Sequence, residues 1–225
     1  MANFFNRYFA PAKSIKSNEI LVTNGSSSLI ENLAWNLFNP GDTVLMPTPN
    51  YALFRYNFEG RPGVRILRVS MTGVEDQFAK EFAGDVVREF EKTYTEAKSQ
   101  GILVKGVLLC NPHNPLGRCY SRQTLLDIAR FCHKRGLHLI SDEVYAMSCF
   151  SKTGDDTGIG KVNKGITPFD GFTSALAIPD GEEYGNGDNI HVMYSTSKDF
   201  GMAGLRLGFL VTRNEKLRTL MEKLG

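Results

Sequence analysis

A serine, a lysine and an arginine surround a glycine-rich turn near the end of this 225-residue chain. Ser195, Lys198 and Arg206 bring a hydroxyl, an amine and a guanidinium to one short segment. A lone lysine is most often a solvated surface charge. Neighbouring cations, however, lower the pKa of a lysine and supply the neutral amine that imine formation requires. The segment therefore suggests Lys198 as a Schiff-base lysine, with a surface charge as the alternative.

A second polar group, Gly25-Ser26-Ser27, stands where a helix is predicted to start. Free backbone N–H groups and the helix dipole at such a start favour a phosphate. Simple capping of the helix by the serines is the alternative. The chain contains neither a Walker A pattern nor a G-x-G-x-x-G that follows a strand, which argues against the two most familiar nucleotide-binding motifs.

Two further polar segments follow predicted strands, N-P-H-N-P-L-G at 111–117 and D-E-V-Y at 142–145. In open α/β sheets ligands bind at the carboxyl ends of the strands, so both segments are candidates for a site. None of the four histidines has metal-ligand spacing, and no Ser-His-Asp order is present. The sequence thus predicts neither a metal site nor an acyl-transfer triad.

The elements that must position these residues alternate between apolar segments and helical patterns. This alternation predicts an α/β fold over residues 1–225, a mostly parallel sheet with helices on both faces. Strands are predicted at 20–22, 43–46, 64–69, 102–110, 137–141, 190–194 and 207–212, and helices from residue 26 or 27, at 82–99, at 121–135 and from about 214. The glycine-rich stretch at about 151–189 shows little periodicity, which predicts a long surface excursion.

Composition narrows the class of protein. Hydrophobic residues at 42%, charged residues at 22% and a mean hydropathy of −0.21 are typical of a folded globular chain, and they argue against a membrane or disordered protein. A net charge of +2 without long runs of one sign gives no footprint for nucleic acid, so a small molecule is the expected partner. The start of the chain has no apolar signal-peptide core, from which we expect a cytoplasmic protein.

The four cysteines are Cys110, Cys119, Cys132 and Cys149. They form no C-x-x-C pair and no regular framework, which fits reduced thiols in a cytosolic protein. Oxidised pairing is the less favoured alternative, and the spacing assigns no role to any of the four.

Together these motifs resemble the fold type I pyridoxal-phosphate enzymes, the class I/II aminotransferase superfamily. Five motifs of this chain occur in the order found in that family and at about its spacing. They are T-N-G-S-S-S, P-T-P-N-Y, N-P-H-N-P-L-G, S-D-E-V-Y and S-T-S-K-D-F-G-M-A-G-L-R-L-G. The S-K-D-F-G-M-A-G-L-R segment is most similar to the aminocyclopropane-carboxylate-synthase-like branch, which also includes aminotransferase-like enzymes and carbon–sulfur lyases. The resemblance covers essentially the whole chain.

The resemblance implies a role for each matching residue. Lys198 would form the internal imine with pyridoxal 5′-phosphate and then move a proton. Asp142 would face the pyridine nitrogen and keep it protonated. Asn114 and Tyr145 would hydrogen-bond the phenolic oxygen of the cofactor, and Tyr51 would stack on its ring.

The same resemblance assigns the phosphate of the cofactor to the start of the first predicted helix and to the glycine-rich turn. Its ligands would be Gly25, Ser26, Ser27, Ser195 and Arg206, whose planar guanidinium suits bidentate capture. An amino acid is the implied substrate, and a homodimer is the implied assembly.

Family members are close to twice this length. We therefore expect the chain to correspond to the large domain alone, with the small domain and its carboxylate-binding arginine absent. The resemblance implies an aminotransferase-like enzyme that acts on an amino acid through Lys198, and we expect the shortened chain to bind the cofactor but to turn over amino acids poorly or not at all. The alternatives are a pyridoxal-phosphate-dependent carbon–sulfur lyase or aminocyclopropane-carboxylate-synthase-like eliminase, and a catalytically inactive truncated paralogue that keeps the fold. A nicotinamide-dependent oxidoreductase is disfavoured because its glycine fingerprint is missing.

Overall fold

The computed structural model of the protein describes residues 1–149 and 171–223. Seven strands of the described residues form one sheet. They are β1 (Ile20–Asn24), β2 (Thr43–Thr48), β3 (Arg65–Ser70), β4 (Val104–Cys110), β5 (His138–Asp142), β6 (Ile190–Ser195) and β7 (Leu207–Thr212). Their order across the sheet is β1-β7-β6-β5-β4-β2-β3.

Strand β7 runs antiparallel to both of its neighbours, β1 and β6. All other described pairs, β2 with β3 and β4, β4 with β5, and β5 with β6, are parallel. The carboxyl ends of six strands therefore meet at one edge of the sheet, and the start of β7 joins them there.

The helices cover both faces of this sheet. They are α1 (Ala2–Tyr8), α2 (Gly25–Leu37), α3 (Leu53–Glu59), α4 (Ala83–Ser99), α5 (Arg122–Arg135), α6 (Thr196–Asp199) and α7 (Glu215–Glu222). Helices α1, α4 and α5 share one apolar core, while α2, α3 and α7 share the other. The predicted fold class is confirmed. No helix in the described ranges is both long enough and apolar enough to cross a membrane.

Strand β4 shows why the middle of the sheet is apolar throughout. Val107 and Leu109 pack into one core, and Leu108 and Cys110 pack into the other. Successive side chains of a strand point to opposite faces, so a strand with helices on both sides must be apolar at nearly every position. This is the physical reason that the run before residue 111 indicates a strand in the sequence.

Helices α1 and α3 were not predicted. Each has seven residues, too few to show a clear helical period, and helices this short depend on tertiary packing. In α1 the ring of Phe5 meets Tyr194 edge-on at 5.9 Å, and just beyond the helix Phe9 does so at 5.2 Å. The aromatic cluster on β6 thus holds the first residues of the chain against the sheet.

The predicted surface excursion at 151–189 needs a correction. Residues 150–170 lie outside the described residues. Within the remainder, Phe172, Ala175 and Ile178 are at most 5% exposed and belong to the core of α1, α4 and α5. The prediction is wrong for residues 172–178, because glycine-rich composition conceals a short apolar stretch that packs inward.

Candidate functional site

The predicted site residues all lie at the edge where the carboxyl ends of the strands meet. Because β7 is antiparallel, its first residues belong to the same edge. In strand order across the sheet, the edge carries Gly25, Ser26 and Ser27 after β1, Arg206 before β7, Ser195 and Lys198 at the end of β6, Asp142 and Tyr145 at the end of β5, Asn114 after β4, and Tyr51 after β2.

Strand register brings two of these segments together around Gly208. Gly208 pairs with Thr23 on one side and with Ser195 on the other. A Cβ at residue 208 would lie 2.7 Å from the carbonyl carbon of Gly25. The absence of a side chain therefore lets the start of α2 approach β7 closely.

The start of α2 forms a cationic cradle with Arg206. Helix α2 begins at Gly25, one or two residues earlier than predicted, and Asn24 gives it no side-chain cap. Its first backbone N–H groups therefore have no partner within the helix. The guanidinium of Arg206 lies against the Cα of Gly25, where a Cβ would be 2.8 Å from Cζ. Positive charge and free N–H groups at one place favour an anion.

The serines Ser26 and Ser27 lie within the first turn of α2 and not at its cap. This excludes the alternative in which they simply cap the helix. Ser26 is half-buried and Ser27 is exposed. Their predicted contact with a phosphate stays a prediction.

Ser195 has a structural role that the sequence did not indicate. Its side chain is buried, and its hydroxyl accepts the N–H of Ser197 at 3.1 Å and donates to the carbonyl of Leu207 at 3.0 Å. It thereby caps α6 and attaches that helix to β7. In the described part of the chain, the buried Oγ1 of the next residue, Thr196, has no hydrogen-bond partner, so it is free to bind a ligand atom.

Lys198 lies on the single turn of α6 and is exposed. Its Nζ lies 5.8 Å from the centre of the Tyr145 ring, within the range of a cation–π contact. The lysine amine predicted at the end of β6 therefore meets the tyrosine predicted at the end of β5.

Asp199, which was not predicted, holds α6 in this position. Its carboxylate accepts the O–H of Tyr194 and the N–H of Met147, each at 2.9 Å, and the O–H of Ser148 at 2.5 Å. Burial raises the pKa of Asp199, and the three donors act against that shift. In the sequence, its position directly after Lys198 is the feature that could have indicated this role.

Asp142 is the last residue of β5, and its carboxyl group is buried. The strand register places it beside Cys110 on β4 and Met193 on β6. Burial raises its pKa to about 7, while the N–H of Val144 and the charge of Lys198 act in the opposite direction. A carboxyl with this pKa changes protonation near neutral pH, so a charged ligand atom placed beside it would shift its protonation state.

Glu143 forms a second buried carboxyl that the sequence analysis did not single out. It accepts the O–H of Ser141 at 2.9 Å, the O–H of Ser174 at 2.5 Å and the N–H of Ala175 at 2.7 Å. Burial raises its pKa to about 8. Glu143 thus attaches the stretch at 172–178 to the site edge. In the sequence, its position beside Asp142 is the feature that could have indicated this role.

Asn114 and Tyr51 complete the edge. Asn114 is half-buried in a loop that Asn111 holds: the Asn111 side chain accepts the N–H of Tyr120 at 3.0 Å and donates to the carbonyl of Thr173 at 2.9 Å. The Tyr51 ring is 38% exposed and rests edge-on against Phe54 at 5.4 Å. Because the Tyr51 side chain is partly exposed, part of its ring is accessible for stacking.

His113 lies inside the same loop as Asn114 but is buried. Its ring lies edge-on to Phe78 and Tyr120, and burial lowers its pKa. Within residues 1–149 and 171–223, no group of three or more His, Cys, Asp or Glu side chains is arranged to hold a metal ion.

The chain is similar to known proteins over its full length. The family model described as "Aminotransferase class I and II" matches residues 1–225. The "Probable aminotransferase sirI" of Leptosphaeria maculans is 37% identical over 213 residues, which is 95% of this chain and 46% of that protein. The "1-aminocyclopropane-1-carboxylate synthase 6" of Oryza sativa subsp. japonica is 30% identical over 225 residues, 100% of this chain and 37% of that protein.

A solved structure shares the fold. The PLP-bound putative aminotransferase from Clostridium difficile 630 aligns with a TM-score of 0.69 at 20% identity, over 99% of this chain and 49% of that one. The chain thus spans less than half the length of each of these three proteins.

Proposed function

The chain belongs to the class I and II aminotransferase family, and we propose that it binds pyridoxal 5′-phosphate at the carboxyl edge of its sheet for a reaction of amino acids. One observation carries the proposal. An exposed lysine amine, a buried carboxyl and an arginine set against a helix start lie at the same edge, beside the ends of the adjacent strands β6, β5 and β7. The amine, the carboxyl and the guanidinium are chemically complementary to the aldehyde, the ring nitrogen and the phosphate of this cofactor, in that order.

The phosphate fits the cradle between α2 and Arg206. The site there offers free N–H groups, a guanidinium and no Cβ at Gly25, so an anion can approach the backbone. The buried and unpartnered Oγ1 of Thr196, on the adjoining turn of the described chain, supplies another polar atom. Ser26 and Ser27 would add hydroxyl donors.

The ring of the cofactor would lie between the remaining residues. Asp142 would face its nitrogen, Tyr51 would stack on it, and Asn114 and Tyr145 would hydrogen-bond its phenolic oxygen. Lys198 would bond covalently to its aldehyde through Nζ. The bound cofactor supplies an electron-accepting ring that stabilises negative charge on the Cα of an amino acid.

The protein's own groups would handle the protons. The Nζ of Lys198, released when a substrate amine replaces it, would take the proton from Cα and return it elsewhere. Asp142 would keep the ring nitrogen protonated, and a cation at that place would favour ionisation of a carboxyl whose pKa burial raises to about 7.

Transamination is the first candidate reaction, since the relative from Leptosphaeria maculans carries the name of an aminotransferase. Elimination is the second, favoured by the 30% identity to a protein named 1-aminocyclopropane-1-carboxylate synthase. Incubation with a panel of amino acids separates them: a keto acid with amino-group transfer supports the first, and a released thiol or a cyclised product supports the second.

Binding itself is tested by mixing the purified chain with pyridoxal 5′-phosphate, reducing with borohydride and mapping the modified peptide by mass spectrometry. We expect the label on Lys198 and the loss of the visible absorbance band in Lys198→Ala. The matched control is Lys216→Ala, an exposed lysine on α7, which should keep the band. A label spread over several lysines, or an unchanged band in Lys198→Ala, would overturn the proposal.

A further inference from the structure

The four cysteines divide into two pairs of different character. Cys110 and Cys132 are at most 5% exposed, and burial raises the pKa of each thiol. Cys119 and Cys149 are half-buried, and their sulfur atoms lie 3.4 Å apart. We propose that Cys119 and Cys149 are a redox-sensitive site that closes to a reversible disulfide on reaction with a low-molecular-weight disulfide.

The geometry requires little movement. A disulfide has an S–S distance of about 2.05 Å, so the two sulfurs must approach by about 1.4 Å. Both residues lie outside the helices and strands, Cys119 in the loop between β4 and α5 and Cys149 in the segment after β5. Loops can accommodate a shift of this size more easily than a packed element of the core.

The contact between the thiols also makes one of them the nucleophile. A hydrogen bond joins the two thiols, and it lowers the pKa of Cys119. The same hydrogen bond, together with burial and the negative charge of Asp199, raises the pKa of Cys149. Since the thiolate is the reactive form, Cys119 attacks first and Cys149 resolves.

The reaction balances with glutathione disulfide as the oxidant. The Cys119 thiolate attacks one sulfur of glutathione disulfide, forms a mixed disulfide and releases one glutathione. Cys149 then gives up its proton and attacks the Cys119 sulfur, releasing the second glutathione. The protein loses two electrons and two protons, and glutathione disulfide is reduced to two thiols. Excess dithiol reverses both steps.

The crosslink would join two segments of the site edge. It closes the chain between residues 119 and 149, which contains α5, β5, Asp142 and Tyr145. The loop that carries Asn114 would then be tied to the segment that carries Tyr145. The disulfide itself does not depend on the proposed cofactor, so the two proposals are tested separately.

The test treats the reduced, purified chain with glutathione disulfide, alkylates the remaining thiols and maps peptides without reduction. We expect one peptide pair linking Cys119 to Cys149, lighter by two hydrogens, with Cys110 and Cys132 alkylated only after denaturation. Before oxidation, Cys119 should react with iodoacetamide about tenfold faster than Cys149, which is equally half-buried, and faster than the two buried cysteines. In Cys149→Ser, glutathione should stay on Cys119.

Three results would contradict the proposed disulfide or its mechanism. Glutathione that stays on wild-type Cys119 without a crosslink would overturn the proposal, and so would a crosslink that forms between chains and weakens on dilution. Equal alkylation rates at Cys119 and Cys149 would overturn the assignment of the nucleophile. The wild-type measurements need no variant to fold, so they decide the matter if Cys149→Ser is unstable.

Discussion

The guanidinium of Arg206 occupies the space in which a side chain at Gly25 would begin. A Cβ there would lie 2.8 Å from Arg206 Cζ and closer still to Nη2. Both residues have a positive φ, 84° at Gly25 and 50° at Arg206. A positive φ is ordinary for glycine but uncommon for arginine, and together the two conformations bring the cation and the first N–H groups of α2 to one place.

Gly25→Ala should weaken binding of pyridoxal 5′-phosphate by displacing Arg206. The added methyl group also strains the backbone, because an L-residue at positive φ costs roughly 1–2 kcal/mol. Gly41→Ala is the matched control: φ at Gly41 is 91°, yet a Cβ there would meet nothing within 4 Å. We expect both variants to lower the thermal midpoint, and only Gly25→Ala to reduce affinity in an absorbance titration. Equal loss of affinity in both would contradict the role of Arg206.

Asp142 should make the protein less stable as pH rises. Burial raises its folded-state pKa to about 7, well above about 3.9 in an unfolded chain. Between these values the folded state holds a proton that the unfolded state releases, so stability is highest below the unfolded pKa and falls as pH rises through the folded pKa. Glu143, with a pKa of about 8, acts in the same direction.

We therefore expect Asp142→Asn to be more stable than wild type at pH 8, by on the order of a few kcal/mol, with the difference shrinking towards pH 4. Urea denaturation of both proteins across that range measures it. The control Glu182→Gln, at an exposed position, should follow the wild-type curve. Parallel curves for Asp142→Asn and wild type would contradict the prediction.

Asp199→Ala should destabilise α6 and slow the attachment of cofactor to Lys198. The variant leaves the O–H of Tyr194 and the N–H of Met147 without their acceptor, and a buried donor without a partner costs roughly 1–3 kcal/mol. Tyr194→Phe removes only one of the three bonds and should cost less. Thermal melts and the rate of appearance of the visible band are the two measurements; a normal rate in a folded Asp199→Ala would refute the positioning role.

His191, which is buried beside the half-buried His138, should cause a loss of stability in acid. His191 lies 2.9 Å from His138 and 2.8 Å from the hydroxyl of Thr212, and burial together with His138 holds its pKa well below the usual value. Below about pH 6.5 the imidazole of His191 takes up a proton in the unfolded chain but stays neutral in the folded chain. Its contribution to stability is therefore retained above that pH and lost as pH falls. The NMR signals of His191 should stay those of a neutral imidazole at pH 5, and signals of a protonated ring at that pH would contradict the prediction.

The roles of the candidate site residues stay predictions, but their common location could be read from the order of the strands. Lys198, Asp142 and Arg206 were chosen because each stands next to a predicted strand, and all three lie at the same edge. Short helices such as α1 were missed because their stability comes from contacts made far along the chain, here between Phe5 and Tyr194. The stretch at 172–178 was misassigned because its apolar residues are few and its anchor, Glu143, lies about thirty positions earlier.

The sequence by itself determined the alternation of strands and helices, the family resemblance and the identity of the candidate site residues. These features depend on local period and on motif, both of which are written along the chain. Only the tertiary structure decided that Arg206 lies on Gly25, that Asp199 holds the helix of Lys198, and that Cys119 touches Cys149. Such contacts join residues tens to nearly two hundred positions apart, or depend on side-chain directions, and they exist only once the strands have paired.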